Sequence, residues 1–150
     1  PLVVPDTLRP ATSETLATTV GARGVQIYEC RARKDGGYEW AFVAPDADLL
    51  DAQGKAIGRH GAGPYWQSAD GSRVVGTVSA RADAPAPGAI PWLLLSTKSS
   101  GSAGAFSNVT SIQRVNTVGG VAPATPCTAQ FAGTPARVPY TADYRLFTAR

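Results

Sequence analysis

The sequence predicts an all-β fold, a single-domain β-sandwich or barrel of short strands joined by long Gly/Pro-rich loops. Three observations carry this. Apolar side chains alternate with period two in several separate stretches, the mark of pleated strands with one buried face. Turn signals recur roughly every 8–15 residues, the spacing of many-stranded β domains. No stretch carries a sustained 3.6-residue apolar period, so no long helix competes.

Taken in order, residues 1–20 read as an extended N-terminal lead-in and residues 21–150 as the single β domain. Pro1, Pro5 and Pro10 break up the start. Thr12–Ala17 is expected to make one or two helical turns capped by Thr12 or Ser13, ended by Gly21 and Gly24. Val25, Ile27 and Glu29 then point one way, and Gln26, Tyr28 and Cys30 the other. Asp35-Gly36-Gly37 is a hairpin turn. Tyr38, Trp40 and Phe42 follow as one aromatic face, expected in the core, so Val25–Val43 is the best-defined hairpin. Ala44-Pro45-Asp46 is expected to end it, with a short helical turn at Ala47–Leu50.

Ala56–His60 and Tyr65–Gln67 read as short segments separated by Gly61-Ala62-Gly63-Pro64. After Asp70-Gly71, Ser72–Ala80 alternates, with Val74, Gly76, Val78 and Ala80 on one side. Ala82–Gly88 is a loop. Ile90-Pro91-Trp92-Leu93-Leu94-Leu95 is the most apolar run. Its length and its proline indicate a strand buried on both faces, with Trp92 in the core. Ser96–Ala105 is expected to be a flexible loop. Phe106–Val115 contains a strand, Gly119 to Cys127 is an irregular connection, Phe131 lies in a short segment, and Tyr140–Thr148 closes the fold.

The chain has 150 residues, enough for one domain with a real core. Apolar residues make up 43% and charged residues only 17%, against roughly 25% in typical soluble proteins. The formal charge of +3 is spread thinly. Nucleic-acid binding needs a clustered basic face, so it is not expected. No stretch is long and apolar enough for a membrane span. The sequence lacks Met and begins Pro1-Leu2-Val3, which is read as processing, either a cleaved signal peptide or loss of an initiator Met before proline. Cys30 and Cys127 have no metal-type spacing. They read as a structural disulfide of a secreted protein, periplasmic or extracellular, two buried free thiols being the alternative.

Several segments carry a family resemblance: Gly24–Cys30, Trp40, Gly58–Trp66, Asp70-Gly71-Ser72, Ile90–Leu94, Ile112–Gly120 and Pro139–Tyr144. Together they resemble a family of secreted bacterial and fungal proteins catalogued as domain of unknown function 3455, from about residue 20 onward. The resemblance implies export and an all-β fold, and it brings no catalytic residues. No strand-GxGxxG-helix unit is present to bind a nucleotide, and no cofactor is implied.

His60 is the sole imidazole, set among Gly58, Gly61, Gly63 and Pro64, where small residues let a ligand approach the backbone. His60, Tyr65, Trp66, Asp70 and Ser72 are therefore the candidate ligand-binding residues, with Trp66 expected to be exposed. The alternative for His60 is a structural hydrogen bond to a neighbouring strand or turn. A hydrolase triad lacks a GxSxG elbow, so no catalytic residue is assigned. Asp46, Asp48 and Asp51 read as a solvated acidic turn, and no metal site is assigned. Arg114, among apolar neighbours, is expected to pair with a carboxylate or with carbonyls. Asn108-Val109-Thr110 fits a glycosylation sequon, meaningful only in a eukaryotic source.

Three functions follow in order. The first is a binding or surface-interaction module for a polar small molecule, a glycan or a protein surface. The second is a self-assembling extracellular protein, a homo-oligomer pairing through strand edges. The third is a small hydrolase centred on His60.

Overall fold

The computed structural model describes residues 2–150. Eight antiparallel strands form one sheet in sequence order: β1 Glu14–Ala32, β2 Tyr38–Leu50, β3 Ala56–Gly61, β4 Tyr65–Ser68, β5 Ser72–Ala82, β6 Trp92–Gly101, β7 Val109–Gly119 and β8 Pro135–Ala149. The sheet closes on itself because β8 pairs with β1, from Glu14 opposite Ala149 to Glu29 opposite Pro135. The all-β prediction holds, and the architecture is the barrel rather than the sandwich. Closure also removes the free strand edges on which edge-to-edge self-assembly was premised.

Alternating strand direction divides the connections between two ends. Segments 33–37, 62–64, 83–91 and 120–134 gather at one end, here called the upper. Segments 51–55, 69–71 and 102–108 lie at the lower end. Leu49, Val74, Leu95, Ile112 and Leu146 are buried inside the lower half, and Phe106 reaches in from segment 102–108. That half is packed solid.

A second cluster covers the outside of β5–β7. Residues 6–8 form a 3-10 turn, and Leu8 packs on Trp92 and Val115. Gln113 Nε2 donates to the Leu8 carbonyl at 2.7 Å. Leu93 and Leu95 thus face the barrel interior while Trp92 and Leu94 lie beneath the N-terminal segment. The strand begins at Trp92 rather than Ile90, and its residues 92–95 are covered on both faces, as expected.

Several boundaries differ from expectation. Residues 14–20, placed in the lead-in and partly in a helix, belong to β1, because their backbone groups pair with β8. Gly21 and Gly24 lie inside that strand. At Gly24 a side chain would collide with the Asp46 carbonyl, 2.2 Å from its Cβ position, so glycine lets β1 and β2 approach there. Strand β2 runs through Ala44-Pro45-Asp46 to Leu50 rather than breaking into a helical turn. A bulge at Ile27/Tyr28 shifts the register in this region. Strand β6 continues to Gly101, so most of the expected loop 96–105 is paired with β5.

The Asp35-Gly36-Gly37 turn joins β1 and β2 as expected. The aromatic face beyond it is not core: Phe42 is 53% exposed, and Trp40 is half-buried, its indole N–H donating to the Thr125 carbonyl at 2.8 Å. Both lie toward the upper end, beyond the packed half.

Cys30 and Cys127 are joined by a disulfide across 97 residues of sequence. It anchors segment 120–134 to β1, where the Cys30 N–H also donates to the Thr134 carbonyl and the Gly133 N–H to the Cys30 carbonyl. Closing so long a loop removes much denatured-state freedom. The double variant Cys30→Ser, Cys127→Ser is expected to lose roughly 2–5 kcal/mol of stability. Urea unfolding without reductant checks this, and an unchanged midpoint would contradict it.

Candidate functional site

Above the packed half, the upper barrel holds a cavity of about 530 Å³. Its walls combine an apolar surface, including Leu93, Leu95 and Ile90, with Gln26, His60, Trp66, Arg81, Arg114 and Tyr144. Strand register explains why these side chains converge. Arg81 lies opposite Leu93, Leu93 opposite Arg114, and Arg114 opposite Tyr144, so all four share the inner face. Straight alternation along β5 would turn Arg81 outward. A bulge between Val78 and Ala80 adds a residue, sends Ala80 to the outer cluster and aims Arg81 into the barrel.

Trp66 is expected at the surface, yet it is 1% exposed and forms part of the cavity wall. Its ring needs the space left by Gly76, where a Cβ would lie 2.7 Å from Trp66 Cζ3. The His60 ring stacks on Trp66 with centroids 4.5 Å apart. His60 Nδ1 is 2.8 Å from the Tyr65 carbonyl, which can only accept, so Nδ1 carries the proton. Burial, helped by the charges of Arg114 and Arg59, lowers the His60 pKa to about 4, and the ring is neutral near pH 7. Nε2 is then an acceptor, and the Tyr144 hydroxyl donates to it at 3.2 Å. With its proton committed, the Tyr144 oxygen accepts from Tyr140 at 3.2 Å. The chain of donors is fully determined from the Tyr65 carbonyl outward.

This is the structural role weighed for His60, a bond to a neighbouring strand. Neither ring nitrogen reaches a serine or a carboxylate, as a triad would require. Asp70 and Ser72 lie at the lower end and do not line the cavity. Asp70 Oδ1 accepts from the Ser72 N–H at 2.9 Å and from the Ser72 hydroxyl at 2.6 Å, and Oδ2 accepts from the Ala105 N–H at 2.8 Å. Ser72 Oγ accepts in turn from the Phe106 N–H at 3.0 Å. These bonds hold the Asp70 carboxyl down at about 2 and fasten Phe106 into the lower end. Tyr65 is half-buried, with the Arg73 guanidinium 4.0 Å above its ring, and does not line the cavity. Of the five candidate residues, His60 and Trp66 meet in one place.

Gln26, Arg81, Arg114 and Tyr144 complete the wall and lie outside the residues that the sequence marks as candidates. Arg114 Nε and Nη2 both donate to the Pro91 carbonyl, at 3.0 and 2.8 Å, in line with its expected carbonyl pairing. Gln26 shares a strand face with Cys30, and a half-cystine is normally buried; that was the one signal that this polar face turns inward. Gln26 Nε2 and Trp66 Nε1, on residues that line the cavity, are fully buried without an acceptor among the described residues, as are Trp92 Nε1 and the Ser111 hydroxyl outside it. No group of three or more His, Cys, Asp or Glu side chains among the described residues is placed to hold a metal ion. Asp46 and Asp48 are not a solvated turn but strand residues paired with Arg59, and Asp46 also with Arg137 at 2.8 Å. Asp51 Oδ1 accepts from the Gln53 and Lys55 N–H groups and shapes the β2–β3 turn.

An up-and-down eight-stranded barrel, solid at one end and hollow at the other, defines the class: a small β-barrel with an internal chamber. The chain belongs to the family of proteins of unknown function DUF3455, whose sequence profile matches residues 10–148. No curated protein and no solved structure matches the chain.

Because the His60 imidazole is neutral in the fold at about 4 and titrates near 6.5 when unfolded, the unfolded chain binds more protons between those values. His60 therefore costs no stability above pH 6.5 and destabilises the fold progressively as pH falls toward 4, by on the order of 3 kcal/mol. Urea midpoints across pH 7 to 4 are expected to fall for the native chain and to fall clearly less for His60→Gln. Equal slopes would contradict a buried neutral ring.

Proposed function

We propose that this protein is an exported binding module that takes one small molecule into the upper barrel chamber. The observation that carries the reading is the chamber itself, about 530 Å³, whose wall sets Arg81, Arg114, Gln26 and Tyr144 among the apolar side chains of Ile90, Val78, Leu93 and Leu95. A chamber of this size suits a small organic ligand. The mixture of apolar wall and few polar groups is that of a ligand pocket. Export is supported by the disulfide, which persists in oxidising compartments, and no helix of the described residues is long and apolar enough to cross a membrane.

The neutral, environment-sensitive dye N-phenyl-1-naphthylamine tests the chamber. It is expected to bind the folded protein one to one, with fluorescence enhancement. Val78→Trp, which fills the chamber from β5, is expected to weaken binding by at least about ten-fold while circular dichroism stays native. Unchanged dye binding in that variant would remove the chamber as the binding site.

A further inference from the structure

The charged groups that line the chamber all have the same sign. Arg81 and Arg114 face inward on either side of Leu93, two strands apart, which places their Cα atoms about 10 Å from each other. No Asp or Glu lines the chamber, and neither arginine has an ion-pair partner among the described residues. The Pro91 carbonyl fixes Arg114 through Nε and Nη2, and the guanidinium also reaches the Tyr144 hydroxyl.

We infer that the ligand is an organic acid, a carboxylate on an apolar body, with its carboxylate held by Arg114. This rests on the chamber being a ligand site and adds the ligand's charge. The planar guanidinium matches a carboxylate, and charged hydrogen bonds in a partly desolvated site are stronger than neutral ones. Leu93, Leu95, Ile90 and Val78 provide the apolar wall for the body. Arg81, exposed at the mouth, adds a second positive charge on the path of entry.

The test compares ligands of one skeleton that differ only in the head group: octanoate, octanamide, 1-octanol and octylamine. Binding to the whole chain is measured by isothermal titration calorimetry at pH 7 and low salt. Octanoate is expected to bind at least about ten-fold more tightly than octanamide, and octylamine most weakly of the four. In Arg114→Gln the acid–amide ratio is expected to collapse to within about two-fold. Arg81→Gln, at an exposed position that spares the core, is expected to lower octanoate affinity about two- to five-fold and to flatten its salt dependence. If octanamide or octylamine matches octanoate, the charge assignment is wrong although the chamber still binds. If none of the four binds while the dye does, the organic-acid inference fails and the chamber reading stands. If neither the four nor the dye binds, the chamber reading fails too.

Discussion

The structure depends on one constraint, the pairing of β1 with β8 that closes eight strands into a ring. Strand number fixes the bore of a barrel, and eight strands leave room for side chains alone or for one small ligand. Side-chain volume then decides which end is solid. Leu49, Val74, Leu95, Ile112 and Leu146 fill the lower half, and the Asp70–Ser72 clasp holds Phe106 there. Toward the upper end Ala44 and Gly63 line the wall, Gly76 makes room for the Trp66 ring, and a chamber remains. The ring also disposes of its own edges, which shifts the functional question from the outside of the sheet to its interior.

Within the chamber, polar groups fall into two sets with different energetic standing. The Tyr140, Tyr144 and His60 side chains and the Tyr65 carbonyl satisfy one another, and a satisfied buried network rigidifies the wall it belongs to. Burial keeps the His60 ring neutral, so it neither adds charge nor seeks a counter-ion near pH 7. Gln26 and Trp66 stand apart because their donors meet no acceptor among the described residues. Fully apolar residues at those positions would avoid that penalty. Two inward arginines without carboxylates give the same region a positive field, strongest where water is excluded.

How much of this was legible in the sequence follows from which signals are local. Period-two alternation and turn residues are local, and they correctly indicated an all-β chain and the hairpin at Asp35–Gly37. The pairing of Cys30 with Cys127 followed from their being the only two cysteines. Helical expectations at 12–17 and 47–50 failed because long ladders with β8 and β3 override weak local preference. The candidate site was half visible. His60 and Trp66 stand on paired strands at facing positions and meet inside, whereas Tyr65, one residue from Trp66, must point the other way. Asp70 and Ser72 are near in sequence but fall at the opposite end of the barrel. Arg81 could not have been found by alternation, since the bulge in β5 reverses its face. Arg114 and Gln26 come from strands far apart in sequence that closure alone brings together.

The most direct measurement follows the arginine assigned to the ligand, by nuclear magnetic resonance of the Arg114 guanidinium N–H groups and the Trp66 indole N–H during titration with octanoate. The account expects both signals to shift and saturate together, because both residues line the chamber, while the exposed Asn116 side-chain amide on the outside of β7 stays in place. Movement of surface groups with the Arg114 and Trp66 signals unchanged would contradict it.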